Sequence, residues 1–148
     1  MGLRTVRIRR VAFAIVVFAV RAVVAQSSSD IKLNTAAVEF ASQLIQQGHA
    51  VADHKGDWSE HRPSPTEQNK FIRVSGFSAY AKWHLGIDER YAANTKRRYK
   101  FPYGDFKNLH RCGVLAARSR AAEYGYYQIE AAAARLLEMI GSQKETRP

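Results

Sequence analysis

Glycine punctuates this chain. Gly48, Gly76, Gly86, Gly125 and Gly141 each follow a stretch that reads as helix. Glycine takes the left-handed backbone that commonly ends a helix, so these positions bound the elements between them. Residues 34–47 predict a first helix, capped by Asn34 or Thr35, with Ala37, Phe40, Ala41 and Leu44 at helical spacing. Ser64-Pro65-Thr66-Glu67 opens a second, with serine at the N-cap, proline at the first helical position and glutamate at the third. It runs to about Ser75. Ser78 caps a short third helix over 79–85. Asp105 caps a long fourth helix to about Tyr124, and a fifth runs from about Tyr127 to Ile140. Residues 49–64 read as a polar loop and 86–104 as an extended, turn-rich segment holding Asn94, Pro102 and Gly104.

The pattern therefore predicts an all-α fold of about five helices over 34–141, ending in a close-packed αα-hairpin. Gly113, Ala117 and Ala121 recur every four residues and form a smooth ridge. Ile129, Ala133, Leu136 and Ile140, with Ala132 beside them, form a bulky stripe on the last helix. Small residues on the ridge let two antiparallel axes approach closely.

The N-terminus is a separate matter. Arg4, Arg7, Arg9 and Arg10 precede ten residues of Val, Ala, Phe and Ile, then Arg21, Ala22-Val23-Val24-Ala25 and polar Gln26–Asp30. This is the order of a secretory signal, with cleavage expected after Ala25. Arg9-Arg10-Val11-Ala12-Phe13 is a loose twin-arginine match. Residues 1–25 thus predict export to the periplasm or medium. The alternative is a start codon assigned too early, which leaves a cytoplasmic protein. The apolar run is too short for a stable membrane span. Residues 26–33 then read as linker, and 142–148 as a frayed tail.

Those first residues hold five of the 23 Lys and Arg and none of the 13 Asp and Glu. Without them 18 bases face 13 acids, so half of the +10 charge belongs to the leader. A length of 148 residues excludes a multidomain enzyme, and one cysteine excludes an internal disulfide framework and a Cys-rich zinc site.

Three features carry chemistry. Residues 96–111 hold six Lys or Arg, one acid and four aromatics. Lys96, Arg97, Arg98, Lys100, Lys107, His110 and Arg111 are candidates for contact with nucleic acid or another anionic partner, since cations meet phosphates and aromatic faces stack bases. The competing reading makes Tyr99, Phe101, Tyr103 and Phe106 core plugs and the cations solvated edges. The loop with Asp53, His54, Asp57, Glu60 and His61, with His84 nearby, has the side chains of a divalent-ion or acid/base site. No pair in it has diagnostic ligand spacing, so no metal and no cofactor are expected, and the loop reads as a polar one anchored by Trp58. Cys112 follows His110 and Arg111, but positions two apart lie on different helical faces, so it is expected in the core between Leu109 and Ala116.

Lys82-Trp83-His84-Leu85-Gly86-Ile87-Asp88, Arg98-Tyr99-Lys100-Phe101-Pro102-Tyr103-Gly104-Asp105-Phe106-Lys107 and His110-Arg111-Cys112-Gly113 resemble a family of small bacterial proteins without assigned function. Asp57-Trp58-Ser59-Glu60-His61 fits the same pattern. The resemblance covers roughly 31–140 and implies a compact helical domain that begins near Ile31; it implies no activity. A looser likeness joins Phe-Pro-Tyr-Gly-Asp and the Ala-rich hairpin to helical segments of some phage proteins.

Three function classes follow from the sequence. The leading one is a binding module that meets nucleic acid through 96–111. The second is a protein-interaction domain that presents its hairpin or aromatic segment to a partner. The third is a small metal-dependent or acid/base enzyme centred on 53–61, His84 and His110. No nucleophile or general base declares itself.

Overall fold

The structure, a computed structural model, describes residues 30–145 together with Gly2. Apart from Gly2, the proposed leader lies outside the described residues, as do the last three residues. Five helices are present, at Thr35–Gln46 (α1), Trp58–His61 (α2), Pro65–Ala81 (α3), Arg111–Glu123 (α4) and Tyr127–Glu145 (α5). Five strands accompany them, at Ile31–Leu33 (β1), Ala50–Val51 (β2), His84–Asp88 (β3), Tyr99–Pro102 (β4) and Leu109–His110 (β5). The fold is therefore mixed α/β, and the all-α expectation is overturned.

The larger sheet is antiparallel, in the order β1-β3-β4. Ile31 pairs with Asp88 and Leu33 with Gly86, while His84 pairs with Pro102 and Ile87 with Tyr99. β3 is the centre of this sheet, and four of its five residues are buried. A strand covered on both faces loses the alternation that marks a half-exposed one, which is why His84 and Leu85 read as the end of a helix while 86–88 fall in the segment expected to be extended. Gly86 stops no helix. A Cβ there would lie 2.8 Å from Phe101, 3.0 Å from Ile31 and 3.2 Å from Ile129. Glycine allows α5 to seat Ile129 on the sheet. The stretch read as linker supplies β1 at 31–33.

Where capping chemistry is explicit, sequence and structure agree. Ser64 Oγ accepts from Glu67 N–H and Glu67 accepts from Ser64 N–H, so the predicted capping box is complete. Gly76 breaks α3 with φ 77°, and the short piece after it ends at Ala81 instead of 85. Asn34 caps α1 through its Oδ1. Its Nδ2 also donates to the carbonyls of Ala81 and His84, at 2.9 and 3.0 Å, tying α1 to the entry of β3.

The last helical pair forms the predicted hairpin about Gly125, at φ 72°. Ile129, Ala132, Ala133, Leu136 and Ile140 are buried, as are Ala117 and Ala121 opposite. Two details differ. Asp105 starts no helix: its Oδ1 accepts from Lys107 and Asn108 N–H, closing a turn six residues before α4. Gly141 stops none either, since its backbone stays right-handed and α5 runs on to Glu145. The core joins α1, α4 and α5 to the β1-β3-β4 sheet, with Tyr103, Leu85, Leu109, Val114 and Ile45 at its centre. Among the described residues no helix is long and apolar enough to cross a membrane.

Candidate metal centre

The smaller sheet is what builds the site. β2 and β5 run parallel, with Ala50 beside Leu109 and Val51 beside His110. This pairing of two-residue strands carries the chain beyond β2 to the first turn of α4. Asp53 arrives there and does the work of an N-cap from 59 residues away: its Oδ1 accepts from Cys112 N–H at 2.6 Å. His110, at the cap position itself, makes no side-chain cap bond. A carboxylate at a helix start satisfies a free N–H and meets the positive end of the helix dipole.

The loop then folds back. His54 N–H donates to Asp57 Oδ2 at 3.0 Å, and Gly56 turns the chain at φ 108°. One turn of helix, α2, places Trp58 and His61 three residues apart on one face. Trp58 lies on Gly113, where a Cβ would come within 2.8 Å of the indole. Gly113 is thus reserved for Trp58, and the ridge facing α5 consists of Ala117 and Ala121. With the indole seated, His61 Nδ1 falls 2.8 Å from Asp53 Oδ2 and 3.5 Å from Cys112 Sγ.

Four side chains converge in this way. Asp53 Oδ2 lies 2.8 Å from His61 Nδ1, 2.7 Å from His110 Nδ1 and 3.1 Å from Cys112 Sγ. All four potential ligand atoms lie within 4.8 Å of one another. Cys112 and His110 are buried, and the His61 side chain keeps a third of its surface exposed. The two imidazole rings are 4.7 Å apart. On its far side, His110 Nε2 is 3.2 Å from Asp105 Oδ2 but out of line for a hydrogen bond, so this buried nitrogen has no well-directed partner. Arg111 donates to the Asp53 carbonyl at 3.3 Å, closing the rim.

The electrostatics follow from burial and these bonds. Burial works against the charge of Asp53, but the Cys112 N–H, His110 and the Cys112 thiol together hold its carboxyl below the usual range. Asp105 is likewise lowered, against burial, by Asn108 N–H, His110 and Lys107 N–H. Burial and then the Asp53 carboxylate push the Cys112 thiol up to about 12.

That arrangement does not suit a nucleophile. In a Cys–His–carboxylate triad the imidazole bridges thiol and carboxylate through its two nitrogens. Here one nitrogen, His61 Nδ1, faces both, and the carboxylate bonds the thiol directly, which disfavours the thiolate. A cation at the centre reverses this logic, because a coordinating thiol loses its proton outright. A tetrahedral ion with bonds of 2.0–2.3 Å needs donors roughly 3.3–3.8 Å apart. The separations present, from 2.7 Å up to a limit of 4.8 Å, bracket that range. With an ion held at Nδ1, Asp105 behind His110 would stand where a carboxylate commonly orients a metal-bound histidine.

The residues proposed for nucleic acid separate into three places. Lys96, Arg97, Arg98 and Lys100 gather near Tyr91 and α3, through a single 3₁₀ turn at Lys96–Arg98 and the start of β4. Lys107 is exposed on the Asp105 turn. His110 and Arg111 belong to the centre with Asp53. The four aromatics pack inward: Tyr99 on Phe77, Tyr80 and His84, Phe101 on Tyr126, Tyr103 in the core, and Phe106 stacked 4.2 Å from Phe71. Phe101 and Phe106 hold left-handed backbone at φ 60° and 71°. That conformation costs an L-residue about 1–2 kcal/mol, and here ring packing offsets it.

Of the other loop candidates, His54, Asp57 and Glu60 stay outside the cluster. His84 is buried in the sheet against Tyr80. Cys112 is buried as expected, yet it shares Asp53 with His110, because His110 ends a strand and the helical-face argument does not apply to it. The set was hidden because Asp53 and His61 lie in one segment and His110 and Cys112 in another about fifty residues on. The legible trace was two short pairs, Asp53 with His61 and His110 with Cys112. Comparison of the chain with known protein families, curated proteins and solved structures finds no match.

Proposed function

We propose that this protein is a small metal-binding domain that takes up one divalent transition ion of the zinc class. The ligands are Asp53 Oδ2, His61 Nδ1, His110 Nδ1 and Cys112 Sγ. The observation that carries this reading is the convergence of one sulfur, two imidazole nitrogens and one carboxylate oxygen within 4.8 Å, from two segments about fifty residues or more apart. A mixed donor set with thiolate and imidazole favours zinc-class ions over calcium or magnesium, which want oxygen. Four protein donors fill a tetrahedral ion, as in structural sites. The ion's work is then to fasten the 52–62 loop to the start of α4.

Elemental analysis of protein purified without chelator tests the reading. The expected result is close to one equivalent of metal. Cobalt(II) added after chelation should give a thiolate-to-metal charge-transfer band that Cys112→Ser removes. At free metal a thousandfold above Kd, mass action adds about 4 kcal/mol of stability. Folded protein that retains only traces of metal and gives no cobalt spectrum would overturn the proposal.

A further inference from the structure

Away from the metal centre, one patch of charge is assembled around a single aromatic ring. Tyr91 follows β3 in a turn closed by its own N–H on the Asp88 carbonyl. The guanidinium of Arg97 and the ammonium of Lys100 each lie 5.4 Å from its ring centre, and Arg90 lies at 5.9 Å. Arg98 donates to the Tyr91 carbonyl at 2.7 Å. Lys96 is fixed to Asn69 Oδ1 at 2.9 Å, on α3 one turn before exposed Arg73.

These cations differ in how they are neutralised. Arg90 is satisfied by Asp88, at 2.9 Å through both nitrogens, and by Asp30 at 3.1 Å. Lys96, Arg97, Arg98 and Lys100 form no ion pair among the described residues. Four cations in five residues repel one another, and only Arg98 and Lys100 feel a nearby carboxylate, Glu89 and Asp88 respectively, without pairing with it. The Tyr91 ring and carbonyl hold three of them in place at low cost, since a ring face attracts a cation. Such a group is ordered before any anion arrives.

We propose that this patch, Lys96, Arg97, Arg98 and Lys100 around Tyr91, binds the phosphate backbone of nucleic acid. Arg98 borders a cavity with Phe77, Lys82 and Tyr99, but Lys96, Arg97 and Lys100 do not line it and are strung along a turn and strand, which suits a polymer of spaced charges better than a single small anion. The neighbouring rings of Tyr99, Phe77 and Tyr80 are packed on one another, so their contacts are spent mainly within the fold. Binding is therefore electrostatic and indifferent to sequence. His110, Arg111 and Lys107 take no part, so the contact is narrower than the 96–111 segment suggests.

Fluorescence anisotropy of the intact, metal-replete protein with a labelled 20-base-pair DNA, over a series of salt concentrations, tests this. For three to four neutralised phosphates the slope of log K against log salt is about −2.7 to −3.6. Affinity then falls roughly 40- to 150-fold between 50 and 200 mM salt. Arg97→Ala with Lys100→Ala should make the slope shallower by about 1.8, and Lys96→Ala alone by about 0.9. Lys107→Ala should leave it unchanged. The metal content of each variant, measured alongside, stays at that of the parent, which separates this result from the fate of the metal reading. Binding weaker than about 10⁻⁴ M at low salt overturns the proposal. So does an unchanged slope in the double variant, or binding to heparin with none to the duplex.

Discussion

His84 gives the fold a dependence on pH that can be worked out in advance. The ring is buried on the central strand, with Nδ1 2.9 Å from the Tyr80 carbonyl and the Tyr80 ring 4.3 Å away. Burial lowers its pKa from 6.5 to about 4, although the carbonyl contact favours the charged form. Above 6.5 the ring is neutral in both folded and unfolded chains and contributes no pH dependence. Between 6.5 and about 4 the unfolded chain takes up a proton that the folded one refuses, so stability falls as pH falls; below about 4 the loss stops. At about 1.4 kcal/mol per pH unit the full loss is roughly 3 kcal/mol, and most of it occurs by pH 4.5. Urea melts of the parent and His84→Gln between pH 7.5 and 4.5 measure it. The variant lacks the titration, so it should start less stable and close the gap by about 2–3 kcal/mol as the buffer is acidified. The Asp53 cluster is untouched by the substitution, so its own response to acid is common to both proteins and cancels in the difference. A gap that stays constant across this range would refute the argument.

Three further predictions concern a cap and two glycines. Ser64→Ala should cost about 1 kcal/mol in urea melts through loss of the capping box, and Pro65→Ala much less; equal effects would remove that assignment. Gly113→Ala drives a Cβ to within 2.8 Å of Trp58 and 2.9 Å of the Tyr103 carbonyl, for an expected loss of about 1–3 kcal/mol by thermal melts. Gly141→Ala meets nothing within 4 Å inside α5 and should stabilise by about 0.5–1 kcal/mol.

What could be read from the sequence was what is local. The Ser64 box, the break at Gly76, the turn at Gly125 and the buried stripe from Ile129 to Ile140 each depend on residues within a turn or two of one another. The strands escaped for two reasons. β3 is buried on both faces and carries no alternation, and β1, β2 and β5 span only two or three residues, too few for a period to show. Gly86 and Asp105 have common habits, as helix stop and helix cap, but here they serve packing against Ile129 and a tight turn. The candidate site was half visible. Its loop and its Cys112 each stand out in the sequence, but only the β2–β5 pairing joins them, and no local pattern announces a pairing across fifty-nine residues.

That pairing also sets a time order. The α4–α5 hairpin closes over a single turn at Gly125 and can form early. Joining Asp53 to Cys112 requires closing a loop of some sixty residues, which costs more entropy and rewards the chain only once both ends are in place. The centre should therefore assemble late, after the last two helices have met. An ion held by such late contacts leaves the folding rate nearly unchanged and slows unfolding instead. Its effect would be on the lifetime of the folded molecule: the finished chain persists while the ion stays and comes apart quickly once it is withdrawn.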